Sequence, residues 1–204
     1  SGTLYISVAT TAKGVTSWLE PLTLGRVQHP AAYNLAVSGS IFSRVGASGA
    51  ALSAGSLLED QIPLLSSLPV RPTHCVILCG TNDIGYATSA LITLDQIKAN
   101  CLSVIAAVRA LGIRPVIMLD LPRTQASWSA TGKLYRNNFN NWLIRNGQTY
   151  GAYVVNGNEL YTDPANANGD PLAGYNNADG IHPAAKGAYA AGSALASVFN
   201  SVFA

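Results

Sequence analysis

A parallel β-sheet covered by helices on both faces is the fold class this sequence predicts, and three observations predict it. Short apolar runs alternate along the chain with segments of helix length. Several of those runs are apolar on consecutive residues, as strands buried on both faces are. The 204 residues are 49% hydrophobic and 11% charged, enough apolar material for one sizeable core and too much for a disordered chain. The expected architecture is a three-layer α/β/α sandwich with a five-stranded parallel sheet, formed by residues 1–204 as a single domain.

Taken in order, the five strand candidates are Leu4–Val8, Tyr33–Val37, Cys75–Cys79, Pro115–Leu119 and Ala152–Val155, each bounded by Gly, Pro, Asn or Asp. Helix-like segments cover Leu57–Leu68, Ala90–Leu111, Leu134–Tyr150 and Ala184–Phe203. The second has the clearest period, with Leu94, Ile97, Cys101, Val104, Ile105 and Val108 on one face and Gly112 as its stop. Strand–helix alternation of this kind is doubly wound and flavodoxin-like.

Charge excludes several partners. Twelve Lys and Arg against ten Asp and Glu leave a formal charge of +2, and the basic residues are scattered singly rather than gathered in a stripe, so no nucleic-acid partner is expected. No apolar run approaches bilayer length, so no membrane span is expected and the chain reads as soluble. Its Ser-Gly-Thr start, without a basic-then-apolar leader, reads as a tag remnant or a cut from a longer polypeptide. The address stays open, with a secreted or virion-associated parent protein among the options. Cys75, Cys79 and Cys101 read as buried free thiols rather than a disulfide or metal site.

In open α/β sheets, ligands bind beyond the carboxyl ends of the strands. Those ends carry Ala9, Thr10 and Thr11, then Ser38-Gly39-Ser40, then Gly80-Thr81-Asn82-Asp83, then Asp120. A long polar loop, Asn156–Ala178, ends in Asp179-Gly180-Ile181-His182 and is expected to rim the same crevice. A carboxylate three residues before an imidazole can turn back onto Nδ1 and make Nε2 the basic nitrogen. The pair is weak evidence alone, since a structural His near a helix start looks the same. His29 and His74 read as structural or surface residues. Asn82, at the end of a central strand, can aim an amide into the crevice, and Gly39 can offer a backbone N–H, so together they could bind a developing oxyanion. Asp83 reads as a helix cap or turn carboxylate.

Together these pieces resemble the SGNH (GDSL-type) hydrolase family of esterases and lipases, over nearly the whole chain. The matching blocks are Asn34-Leu35-Ala36-Val37-Ser38-Gly39, Gly80-Thr81-Asn82-Asp83 and Asp179-Gly180-Ile181-His182-Pro183. The resemblance implies that Gly39 and Asn82 are oxyanion donors, His182 the general base and Asp179 its orienter. It also implies a Gly-Asp-Ser block after the first strand, where this chain has Ser7-Val8-Ala9. Ala9 therefore stands at the nucleophile position, and a methyl group cannot attack a carbonyl.

Three readings of Ala9 stay open: an esterase whose serine was replaced, a natural pseudoenzyme that keeps the cleft for glycan binding, or a displaced alignment with Ser7, Thr10, Thr11, Ser38 or Ser40 as nucleophile. The expected reaction is removal of a short acyl group, acetyl first, from a carbohydrate or other small ester, with a lipase or thioesterase as the alternative. No cofactor or metal is expected. Thr10, Ser38, Asp120 and Tyr175 are the expected substrate contacts, with Tyr161, Arg123, Gln125 and Trp128 near the rim. The run Asn137, Asn138, Asn140 and Asn141 reads as one wet helix face.

Overall fold

The computed structural model describes residues 4–7 (as backbone), 32–46, 49, 51–124, 128–166 and 169–202. Four parallel strands, β1 (Leu4–Ser7), β2 (His74–Ile77), β3 (Arg114–Met118) and β4 (Tyr153–Val155), lie side by side in chain order. Ser7 pairs with Ile77, Ile77 with Ile117 and Ile117 with Val154, so the carboxyl ends of the strands lie on one edge. Parallel neighbours need long crossovers, which α1 (Thr81–Thr88), α2 (Leu94–Ala110), α3 (Ala130–Asn146) and the segment before β2 occupy; α4 (Ala185–Val202) follows the sheet.

Alternate residues of the strand region feed two cores, which makes the three layers. Cys75, Ile77, Ile117 and Leu119 join Ile97, Val104, Val108, Phe139 and Leu143 of α2 and α3 on one face. Val76, Val116, Met118 and Val155 join Ala190, Ala194, Leu195 and Phe199 of α4 on the other. Small residues let α4 lie close: a Cβ at Gly187 would come within 2.2 Å of the Tyr175 carbonyl oxygen. The period read for α2 holds, with Ile97, Cys101, Val104, Ile105 and Val108 all buried. Its start shifts from Ala90 to Leu94 because the Thr93 side chain caps it, accepting the Gln96 N–H at 3.1 Å. α3 likewise begins ahead of Leu134, behind a Ser129 cap that accepts the Gly132 N–H.

Two expected elements differ. Tyr33–Val37 carries one bridge residue, Tyr33, and no ladder among the described residues. Its Ala36 N–H is taken by the Asn34 side chain at 2.9 Å and its Val37 carbonyl by a turn to Ser40, which removes groups a ladder would use. The sheet therefore has four strands among the described residues rather than five. Leu57–Leu68 is not an α-helix but a wide turn, Leu57–Gln61, running into a 3₁₀ segment, Ile62–Ser67, where Pro63 supplies no N–H.

The three cysteines are free and buried, and burial pushes the Cys75 thiol up to about 12. Among the described residues no helix is long and apolar enough to cross a membrane, and no cluster of three or more His, Cys, Asp or Glu is placed to hold a metal ion.

Candidate active site

The site is built from three strand-end segments, and the first is a tight turn. Ser40 donates its N–H to the Val37 carbonyl at 3.3 Å, and Gly39 has φ +78°, the conformation that a type II turn demands at its third residue. An added Cβ would meet no described residue within 4 Å, and the positive φ by itself calls for glycine here. The Gly39 N–H is taken by no described residue. Ser38 is exposed beside it.

The second segment is Gly80 and the first turn of α1. Gly80 adopts φ +128°, and a Cβ there would approach the Phe139 ring to 3.2 Å. Asn82 donates one amide N–H to the Ser40 carbonyl at 3.0 Å, which ties the helix to the turn. A primary amide has a second N–H for another acceptor. Asp83, read as a cap or turn carboxylate, does something longer in range. It is fully buried in the first turn of α1 and accepts the Phe42 N–H at 3.1 and 3.3 Å, clamping the chain just past Ser40. Burial pushes its carboxyl up to about 7 against the pull of these bonds.

The third segment carries a paired carboxylate and imidazole. His182 Nδ1 lies 2.6 Å from Asp179 Oδ2, while Asp179 Oδ1 accepts the N–H groups of Ile181 at 2.8 Å and His182 at 3.0 Å. A carboxylate only accepts, so Nδ1 carries the proton and Nε2 is the basic nitrogen. The hydrogen bond from His182 is the main influence holding the Asp179 carboxyl down to about 2. Gly180 makes the bend, with φ +68°, and its carbonyl accepts from the Thr124 N–H at 3.0 Å and the Asn176 amide at 2.9 Å.

Asp120 joins the two halves. The Thr81 hydroxyl, next to Asn82, donates to Asp120 Oδ1, and four residues later Thr124 is bonded to Gly180. This corrects the expectation for Asp120 itself. At 2% exposure it is no rim residue, and Asn140 grips its backbone with bonds of 3.0 and 2.9 Å. Burial pushes its carboxyl up to about 6.

Other rim expectations are corrected in the same way. Tyr161 is fully buried, with its hydroxyl donating to the Tyr175 carbonyl at 3.0 Å, whereas Tyr175, edge-on against that ring, is only half-buried and keeps surface on the loop. Arg123 and Trp128 are buried against each other. The loop Asn156–Ala178 is partly structured, with a 3₁₀ turn at Asn158–Leu160 and a bridge from Thr162 to Pro171. Of the four asparagines around Phe139 on α3, Asn137, Asn138 and Asn141 are exposed, but Asn140 is buried at the Asp120 clamp. Sequence reading missed Asn140, Thr81 and Asn176 as site supports; an Asn at a helical spacing that puts it on the Phe139 side was the available signal for the first.

Ala9, Thr10, Thr11, His29 and Gln125 lie outside the described residues, and β1 ends at Ser7, two residues before Ala9.

Comparison with known proteins agrees with this layout. No curated protein sequence matches. Solved structures do. A GDSL-like lipase from Bacteroides thetaiotaomicron is 17% identical, with 83% of this chain and 75% of that one covered and a TM-score of 0.63. The psychrotrophic esterase EstA from a Pseudoalteromonas species, in a form inhibited by monoethylphosphonate, is 14% identical over 85% of this chain and 79% of that one, with a TM-score of 0.58. An acetyl esterase variant with one serine replaced by alanine, holding an acetate ion, is 15% identical over 87% of this chain and 75% of that one, with a TM-score of 0.57. At these identities the likeness is one of fold. The sequence also matches the family model of the GDSL-like lipases and acylhydrolases from residue 6 to residue 190, a span that takes in all three segments and position 9. This chain therefore belongs to the GDSL-like lipase/acylhydrolase family.

Proposed function

We propose that the chain is a serine esterase scaffold that removes a short acyl group, acetyl first, from a carbohydrate, and that Ala9 stands where its nucleophile belongs. The observation that carries this is the 2.6 Å contact between His182 Nδ1 and Asp179, on a loop bonded to the segment that also holds the Asn82 turn. With serine at position 9, His182 Nε2 takes the hydroxyl proton as the oxygen attacks the ester carbonyl. The tetrahedral oxyanion is held by the backbone N–H groups of position 9 and Gly39 and by the second amide N–H of Asn82. The protonated His182 then delivers its proton to the leaving alkoxide, and water activated by the same nitrogen releases the acid.

Supports for the substrate class are the low charge of the chain, which suits a neutral ester, and the polar loop ahead of Asp179, with exposed Asn177 beside Pro183. The acetyl esterase variant with its acetate ion supports a small acyl group. A second reading has its own observation: Ser7-Val8 replaces two further positions of the family's first block, as expected of a natural glycan-binding pseudoenzyme.

The test is Ala9→Ser, assayed on a short-chain aryl ester and on an acetylated polysaccharide, with His182→Ala in the same background as control. His182-dependent turnover with release of acetate from the polysaccharide is expected. Glycan binding by the chain as it stands, with no turnover after Ala9→Ser, would instead establish the pseudoenzyme reading.

A further inference from the structure

We propose that Ser40 is a positioning residue of this site, with buried Gln61 as its anchor, and that the pair holds the Gly39 N–H and the Asn82 amide in one register. The proposal rests on the reading of Gly39 and Asn82 as oxyanion donors, and it gives Ser40 a role other than that of nucleophile.

Each of the three polar groups of Ser40 is engaged within the site. Its N–H closes the Gly39 turn on the Val37 carbonyl at 3.3 Å, its carbonyl accepts one Asn82 amide N–H at 3.0 Å, and its hydroxyl oxygen accepts from Gln61 Nε2 at 2.6 Å. The two donors, which come from different segments, therefore meet at a single residue. Cys79 Sγ adds a weak contact, 3.7 Å from the same carbonyl. A Ser40 side chain pinned by its hydroxyl fixes the backbone on either side of its Cα, the turn before it and the carbonyl after it.

Gln61 is delivered to Ser40 by the backbone. The Ile41 N–H donates to the Gly55 carbonyl at 2.9 Å and the Leu57 N–H to the Ile41 carbonyl at 2.9 Å, which docks the start of the wide turn alongside the residue after Ser40. That turn, with the Ile62 N–H on the Leu57 carbonyl, is of a rare form that recurs at functional sites. Its Leu57, Ile62 and Leu65 feed the core, while Gln61 carries an amide inward among them. Gly55 bounds the hydroxyl on another side: a Cβ there would touch Ser40 Oγ at 3.4 Å.

Both partners are buried, at 5% exposure each. A buried amide and hydroxyl that bond each other add little net stability over an apolar pair of the same shape, although either one left alone is costly. What the polar pair supplies is direction, because a hydrogen bond fixes the angle at which the two side chains meet.

The test replaces both partners together, Ser40→Ala with Gln61→Met, so that neither is left unpaired, and the urea midpoint should stay close to that of the parent chain. With Ala9 in place and no turnover needed, heteronuclear NMR of the full chain should nevertheless show the Gly39 backbone amide and the Asn82 side-chain amide displaced. The Asn82 amide should also exchange with water about fivefold faster. Asn82→Asp identifies the side-chain signal, and the Asn140 amide, on the Asp120 backbone, should stay unmoved as the internal control. In the Ala9→Ser background the same two substitutions should lower kcat about tenfold while KM changes less than about twofold. Unmoved Gly39 and Asn82 signals in the folded variant overturn the proposal, as does faster exchange that includes Asn140 to the same degree. Should the double variant fail to fold, Ser40→Ala alone decides by the same signals. An Ala9→Ser chain without activity would count against the esterase reading and leave the NMR result to decide this one, so the two fail separately.

Discussion

The two halves of the site are held by different means. The turn at Val37–Ser40 and the start of α1 are bolted to the core: Asp83 is fully buried on the Phe42 N–H, and Gly80 sits against Phe139. The Asp179–His182 loop is more open, with side-chain exposures of 43% and 26%, and is shaped by hydrogen bonds to its own backbone and to Thr124 and Asn176. The difference implies that substitutions at the anchors of the first half, Asp83 and Gly80, act mainly on stability and those in the second half mainly on chemistry.

The largest expected effect is in the open half. Asp179→Asn, placed in the Ala9→Ser background, should lower kcat by about 10⁴-fold, because an amide can donate to Nδ1 and so select the wrong tautomer. Its unfolding free energy should fall by less than that of the Asp83 variant below, since the side chain is substantially exposed and solvent screens its charge. Urea denaturation beside the ester assay checks both, and a large loss of stability with modest loss of rate would reverse the assignment of roles.

Next comes Asp83→Ala, which leaves the buried Phe42 N–H without an acceptor and opens space in the core. A loss of about 2–3 kcal/mol is expected by chemical denaturation. Gly39→Ala should cost about 1–2 kcal/mol, since alanine must hold φ near +78°.

The smallest effect sharpens the comparison through pH. The Asp83 carboxyl rises from an ordinary 3.8 to about 7 on folding. Between those values the folded chain keeps a proton the unfolded chain releases, so its stabilisation is full below 3.8 and is lost as pH rises through about 7. Asp179 runs the other way: held down to about 2, its contribution is present above 3.8 and lost as pH falls towards 2. Asp83→Asn should therefore reduce the decline in stability between pH 4 and 7 while leaving the acid limb below pH 4 in place. An unaltered slope in that variant would place the raised proton affinity elsewhere.

Much of this was legible in the sequence where one signal dominated. The face of α2 followed from period alone, and Asp179 and His182 meet because a three-residue spacing with Gly180 between them permits the bend. Legibility failed where side chains answer to distant partners. Tyr33–Val37 has strand composition, yet the Asn34 side chain takes the Ala36 N–H and no ladder forms among the described residues. Tyr161 looks like a sugar platform in a polar loop, but the loop folds back under α4 and buries it. Asn140 is one of four similar residues, and only the position of Asp120 in space singles it out.

The most direct measurement is covalent labelling of Ala9→Ser with an alkyl phosphonate ester, read by peptide mass spectrometry. The account predicts one phosphonyl adduct on the peptide containing position 9, abolished by His182→Ala and absent from the chain with Ala9. An unlabelled Ala9→Ser protein, or an adduct at Thr10, Ser38 or Ser40 that forms with Ala9 in place, would contradict it.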